Sequence, residues 1–392
     1  MKEFTAQPAA YCASPMADAW LRTRVDAARD FVTRAVGRTQ LEGLILTGSL
    51  ARGEGSVAAL GERLTLLGDI EFLLIVKPQP GWRDFRRQVG ELSRRAAEAI
   101  GEGADGLSIE YTPADRSYLR ERARPSMFTY DLRQHGRVLV GDPELLQEIP
   151  TVERSAIPAE DAMETLVNRG LELLALRDSG LPSATAGYAS VKTLLDLAGS
   201  ALAFGGTYES LYSRRPRAFR DLLARRDDLR QAVVSSERLA ELVDDAARIK
   251  LEPTLASLTR IGREAEPRSI LQWVIDLWRW EAGQLFDRTN ADLETLMGAY
   301  LAEEGGVGRF RGWVKYGWHP LRPPTVRLAP RLLPLAAKSS PRRLVYAAAL
   351  HAIEGAPGWE GRVVRILPTS SIAREGVLRD IVGTWKWLIR NN

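Results

Sequence analysis

Apolar positions recur at helical spacing over residues 17–36, where Trp20, Leu21, Val25, Ala28, Phe31, Val32 and Ala35 share one face. Residues 43–47 form a short apolar run of strand type, and residues 70–76 a second one that Pro78 and Pro80 end. Between them, residues 50–68 are punctuated by glycine and mixed in polarity, which predicts a loop or a short helix. Residues 82–100 return to the helical pattern. The stretch GLSIEYT, residues 106–112, reads as a third strand. Residues 127–133 and 137–140 flank the turn-like QHG and read as a hairpin.

After Gly141-Asp142-Pro143 the character changes. EIPTVERSAIP reads as a linker, and from Ala159 the pattern is mostly helical. Helices are expected near 160–178, 188–204, 217–247, 268–286 and 288–302. Residues 305–340 hold GG, RPP and several lone prolines and read as irregular, with helices returning near 342–354 and 371–390. No repeat of fixed period is present. The expected fold class is therefore α+β. Residues 1–150 carry a small mixed sheet flanked by helices, residues 151–305 form a mainly helical domain, and residues 306–392 form a basic, proline-containing helical region.

Composition narrows the setting. The 392 residues are 45% apolar and 27% charged, ordinary values for a soluble globular chain. The single Cys12 excludes an intrachain disulfide framework and argues for a reducing compartment. The first twenty residues lack the basic-then-apolar layout of a signal peptide. No apolar run reaches the ~18 residues of a spanning helix. A cytoplasmic location is expected. Charge is uneven: residues 306–392 hold 15 Lys and Arg against 4 Asp and Glu, whereas residues 1–305 carry −7. Such a region could meet an anionic partner, RNA or a lipid surface, or form a solvated Arg-rich face.

The candidate chemistry sits where the two early strands begin and end. Side chains alternate along a strand, so Asp69 and Glu71 point the same way with Cα atoms roughly 6.6 Å apart, while Ile70 and Phe72 point into a core. Two carboxylates so placed can converge on a hard divalent cation, Mg²⁺ or alternatively Mn²⁺. Glu110 offers a third acid: Leu107, Ile109 and Tyr111 share one face of its strand, and Ser108 and Glu110 the other. If the strands are neighbours, three acids can hold two metals, an arrangement suited to in-line displacement at phosphorus. Asp105 or Asp115 could take the third position instead. Upstream, Gly48 lets the backbone approach a ligand closely, and Ser49 and the following N–H groups can cradle phosphate oxygens.

Gly48-Ser49, followed by Asp69-Ile70-Glu71 and a later strand acid, resembles the nucleotidyltransferase superfamily typified by DNA polymerase β. The string Gly48-Ser49-Leu50-Ala51-Arg52-Gly53-Glu54 is similar to the GS-x-ARGE form of many bacterial members. The resemblance covers residues 44–112. Nineteen residues separate Ser49 from Asp69, a longer interval than members commonly use. It implies transfer of a nucleoside monophosphate from a nucleoside triphosphate, ATP first among them, to an acceptor hydroxyl that the sequence does not identify. It further implies that Gly48 and Ser49 contact the triphosphate, that Asp69 and Glu71 bind both metals, and that Glu110 helps activate the hydroxyl. Two alternatives accompany this reading: a non-catalytic nucleotide-binding or regulatory module of the same fold, and a template-free nucleotidyltransferase acting on RNA.

Several further residues carry two readings. Arg52 could neutralise phosphate or pair with Glu54 as scaffolding. Lys192, in an apolar helix, could reach the triphosphate, as a helical-domain lysine does in the resembling family, or could pair with Asp196. Tyr208, Tyr212, Arg214 and Arg215 could line a nucleotide or acceptor pocket or form a polar loop between helices. Asp131 and Arg133 are expected on one strand face, paired or supporting the site. His135, His319 and His351 lack metal-ligand spacing and are expected in turns or at the surface. Cys12 is expected to be inert, and Trp273, Trp278 and Trp280 to pack a helix.

Overall fold

A computed structural model describes residues 10–37, 39–61, 63–78, 81–101, 107–177, 183–317, 339–367 and 369–390. Its elements, in chain order, begin with α1 (Pro15–Val36), β1 (Leu41–Leu46), α2 (Gly48–Ala51), β2 (Val57–Leu60), β3 (Arg63–Leu66) and β4 (Asp69–Val76). Then come α3 (Trp82–Ile100), β5 (Ser108–Ala114), α4 (Met127–His135) and β6 (Arg137–Gly141). Helices follow almost without interruption: α5 (Ala159–Arg177), α6 (Ser183–Phe204), α7 (Arg215–Arg225), α8 (Asp227–Ala232), α9 (Ser236–Leu251), α10 (Leu255–Glu264), α11 (Pro267–Leu285) and α12 (Leu293–Ala302). The last are α13 (Gly306–Gly317), α14 (Pro341–Glu354), α15 (Trp359–Ile366) and α16 (Arg374–Arg390). The class is mixed α+β, with a small mixed sheet and a helical C-terminal part.

By packing, the chain forms two units. One comprises residues 1–158, 202–218 and 243–261; the other comprises 159–201, 219–242 and 262–392. The first unit thus takes in two stretches that lie, by sequence order, within the helical part.

In the first unit the sheet order is β5-β4-β1-β6. β1 runs antiparallel to both β4 and β6, and β4 runs parallel to β5. One face is covered by α1 and α3: Leu44, Leu46, Ile70, Phe72, Ile109 and Tyr111 pack with Leu21, Val25, Ala28, Val32 and Val89 in one core. Tyr111 stacks on Phe72 with centroids 5.3 Å apart, donates its hydroxyl to the Ala28 carbonyl at 2.7 Å and gives its N–H to Ser93 Oγ at 3.0 Å. β5 is thereby tied to both helices. The other face buries Ile45, Leu73, Ile75 and Ala114 under Leu119, Leu132, Leu145 and Ile149. Both faces of β4 are covered along most of its length, so it reads as a continuous apolar run beyond Glu71.

In the second unit α11 is buried along nearly its whole length. Asn168 Oδ1 on α5 accepts from Tyr346 on α14 and Trp385 on α16, each at 2.8 Å. Trp273 and Trp280 are buried and spend their indole N–H groups on the Val234 carbonyl and Asp228; Trp278 is 1% exposed.

Four expectations are corrected. Residues 127–135 are helical, not half of a hairpin: Ser126 caps the helix by accepting from the Thr129 N–H at 3.0 Å, and Leu132 is carried into the core. The interval 50–68 holds the β2–β3 hairpin, with Val57 opposite Leu66. The helix expected over 217–247 is three helices, α7 to α9, broken at Arg226 and near Ser235, which takes a positive φ of 55°. Residues 306–317, expected to be irregular, are helical. Among the described residues, no helix is long and apolar enough to cross a membrane.

Candidate metal centre and adjoining pocket

β4 enters the fold from its polar end. Asp69 and Glu71 are half-buried, and from Phe72 onward every residue of the strand is buried. The face that carries the two carboxylates is the face that Leu73 and Ile75 bury further along, so the acids stand at the rim of a core and not inside it. Parallel pairing sets Glu71 directly opposite Glu110, and Ile70 opposite Ile109. Because Ile109 and Tyr111 are buried against α1 and α3, Glu110 projects to the same side as Glu71. One carboxylate oxygen each from Asp69, Glu71 and Glu110 lie within 4.8 Å of one another. The cluster could hold a metal ion. Asp105 lies outside the described residues. Asp115 is committed elsewhere, to Ser117, the Tyr118 N–H and Arg122, which hold its carboxyl below the ordinary range against the effect of burial.

The glycine-serine turn packs onto this cluster. The Thr47 N–H and Oγ1 both donate to the Glu71 carbonyl, at 2.9 and 3.3 Å. Gly48 has φ of +67°, and a Cβ built there would sit 2.0 Å from Glu71 Oε2. Both observations demand glycine: the conformation is one that L-residues adopt at a cost, and the carboxylate occupies the space of a side chain. Ser49 lies in the first turn of the one-turn helix α2, whose N-cap Thr47 makes no side-chain cap bond.

Arg52, which also lines the pocket described below, sits with Glu54 in a buried polar cluster. The Arg52 side chain is 7% exposed; it pairs with Asp131 at 2.8 Å and lies 3.7 Å from Glu54. Asp131 also accepts from the Tyr208 hydroxyl at 3.2 Å. Glu54 accepts the backbone N–H groups of Tyr212 and Ser213, both at 2.9 Å. The Tyr212 ring has the cations of Arg52, Arg215 and Lys250 within 4.6–5.2 Å of its centroid. Lys250 reaches Ser56 Oγ at 2.7 Å and the Glu54 carbonyl at 3.3 Å. This buried polar clamp holds residues 208–215 and Lys250 on the sheet domain. Arg52→Met should cost about 3–5 kcal/mol of stability, because Asp131 and Glu54 would remain buried without their cation; chemical denaturation of the variant and the parent measures it. Asp131 and Arg133 thus leave a helix, not a strand face, and go to different partners, Arg133 donating to the Leu146 carbonyl at 3.0 Å.

Lys192 lies on α6 in the second unit, where its Nζ stands 3.6 Å from Glu172; Asp196 accepts from Arg169. The expected pair between Lys192 and Asp196 is replaced by these two. His319 lies outside the described residues. His351 is a correction: it is 4% exposed on α14, and burial, with Arg362 and Arg365 near, pushes its pKa down to about 4. Cys12 is buried and its thiol is pushed up by that burial, in keeping with an inert role.

A pocket of about 320 Å³ opens beside the carboxylates. Thr47, Gly48, Glu71, Leu73, Glu110 and Thr112 form its sheet side, and Phe128, Asp131, Leu132 and His135 close it from α4. Sequence reasoning missed Phe128 and His135 as site residues. Their 128, 132, 135 spacing is a helical one, and the aromatic, β-branched run Phe128-Thr129-Tyr130 hid it. Burial holds the His135 imidazole below its ordinary pKa; Asp131 opposes and Arg52 reinforces the effect. No protein-family model matches this chain, and comparison with curated proteins gives no match either.

Proposed function

We propose that the protein is a metal-dependent nucleotidyltransferase. The observation that carries the reading is the convergence of Asp69, Glu71 and Glu110 against a turn whose Gly48 leaves the Glu71 carboxylate the space of a side chain. The donor set fits a divalent cation such as Mg²⁺ or Mn²⁺. All three ligands are carboxylate oxygens, those of Glu71 and Glu110 lining a pocket, and hard cations take few carboxylates and complete their shell with water and substrate phosphates. Asp69, Glu71 and Glu110 would hold the ion, which supplies charge neutralisation at a transferring phosphoryl group.

The chain's own residues do the rest. Gly48 and Ser49 bring backbone N–H groups to the triphosphate. An acceptor hydroxyl oxygen attacks the α-phosphorus as the bond from that phosphorus to the bridging oxygen breaks. Pyrophosphate leaves with the electron pair, and Glu110 takes the hydroxyl proton. Incubation with labelled NTP, Mg²⁺ and panels of protein, RNA, sugar and small hydroxyl acceptors tests this. Pyrophosphate release and acceptor labelling are expected, and Asp69→Asn should lower the rate at least ~10³-fold with an unchanged fold. Tight NTP binding with no release would point instead to the non-catalytic module.

A further inference from the structure

The pocket beside Glu71 and Glu110 has walls that say what could fill it. Its volume, about 320 Å³, is at the small end of ligand pockets, enough for a single ring system with its substituents. Phe128 is 48% exposed, a large aromatic left open to solvent. Phe128, Leu132 and His135 fall on one face of α4 and all line the pocket. Leu73 faces them from the sheet. Among the described residues neither nitrogen of the His135 ring has a hydrogen-bond partner, so a half-buried imidazole stands available to a ligand.

We propose that this pocket is the acceptor subsite and that it takes the planar aromatic or heteroaromatic ring of an acceptor whose reacting hydroxyl is carried on a substituent of that ring. The ring stacks on Phe128, and His135 bonds one polar atom of its edge. The proposal rests on the nucleotidyltransferase reading given above. Three arguments support it. First, Glu110, the acid assigned to the attacking hydroxyl, lines the pocket together with Glu71 and Gly48; its occupant therefore reaches that acid beside the turn that takes the triphosphate. Second, most polar groups of the wall are already engaged: Arg52 pairs with Asp131, Thr47 Oγ1 donates to the Glu71 carbonyl, and Glu71 and Glu110 belong to the carboxylate cluster, which leaves Thr112, Asp131 Oδ1 and His135. A sugar would leave several hydroxyls unpaired there, at a cost for each, while a flat ring with two or three polar edge atoms would not. Third, an exposed aromatic face rewards stacking with a π-system. His135 is a positioning residue here: it orients the ring so that the hydroxyl meets Glu110.

The chain has three histidines, so isotope labelling of histidine gives a simple NMR spectrum in which His135→Gln assigns the relevant signal. The probes are adenosine, cytidine and 4-hydroxybenzyl alcohol, each added with Mg²⁺ and α,β-methylene-ATP present. At least one should shift the His135 signal saturably, and Phe128→Ala should weaken that binding at least 10-fold while Phe128→Tyr restores it. Methyl glucoside and kanamycin should leave the signal in place. The proposal is overturned if none of the three rings moves His135, if the sugar or the aminoglycoside moves it instead, or if α,β-methylene-ATP alone moves it and competes with the rings. A separate arm isolates the underlying reading: Mn²⁺ should broaden the His135 signal in the parent and not in Glu71→Gln. Broadening without a ring-induced shift overturns the subsite alone; the absence of both overturns the subsite and the metal centre together.

Discussion

Gly48→Ala should abolish metal binding and turnover at the carboxylate cluster while the protein stays folded. The alanine Cβ would fall 2.0 Å from Glu71 Oε2, a separation that real Cβ atoms do not tolerate. The obstructing atom ends a side chain, so Glu71 yields by rotating, and a carboxylate swung out of the cluster can no longer share a cation with Asp69 and Glu110. The backbone adds a second cost of about 1 kcal/mol, since φ is +67°. A control separates the two effects. Gly37 has φ of +83°, and a Cβ there would meet nothing within 4 Å, so Gly37→Ala carries the backbone cost alone. Mn²⁺ affinity measured by calorimetry should fall at least ~100-fold in Gly48→Ala, in line with what displaced ligands and their supports cost. It should not change in Gly37→Ala. Equal affinities in the two variants would mean that Glu71 does not ligate.

The second large effect concerns stability and lies in the second unit. Glu281 on α11 is fully buried. Its Oε1 is 2.8 Å from Ser200 Oγ, which is also 2.9 Å from the Ala162 carbonyl. A carbonyl only accepts, so the single Ser200 proton goes to Ala162, and the Glu281 carboxyl must then be the donor to Ser200. The acid is neutral in this arrangement. Burial pushes its pKa up to about 8. Its folded pKa therefore lies above the ordinary unfolded value near 4.5, and between those limits the folded state holds the extra proton. The stabilisation is fully present below about pH 4.5 and is lost as pH rises through about 8; its span is on the order of 3–5 kcal/mol. Glu281→Gln keeps the shape and the donor but does not titrate. Denaturation between pH 5 and pH 9 should show the parent losing stability relative to this variant, the variant being the more stable at pH 8. Parallel curves for the two proteins would show that Glu281 does not hold its proton.

Much of the candidate site was legible in the chain because it depends on local rules. The period of two along residues 69–76 puts Asp69 and Glu71 on one face wherever the strand is placed, and the alternation around Glu110 does the same for the third acid. That these strands are parallel neighbours, with Glu71 opposite Glu110, depends on pairing across residues far apart in sequence, which the pattern permits but does not specify. The requirement for glycine at 48 was legible as a close approach, but the group approaching is the protein's own Glu71 carboxylate, a tertiary fact. The clamp around Arg52 was half legible. Glu54 is a local partner, whereas Asp131, Tyr208, Tyr212 and Lys250 arrive from 77 to 196 residues away in the contacts they make. Residues 127–135 misled because aromatic and β-branched residues suggest a strand, while the N-cap Ser126 and burial of Leu132 favour a helix; tertiary packing overrode a weak propensity. The long interval between Ser49 and Asp69 contains a two-stranded ribbon that extends the chain without disturbing the sheet order.

The proposed chemistry depends throughout on one divalent cation site formed by Asp69, Glu71 and Glu110. Crystals soaked in MnCl₂ and measured at the manganese absorption edge decide whether that site exists. An anomalous peak is expected among the three carboxylates, and it should disappear in Glu71→Gln. A manganese peak elsewhere, or one that survives the substitution unchanged, would contradict the assignment.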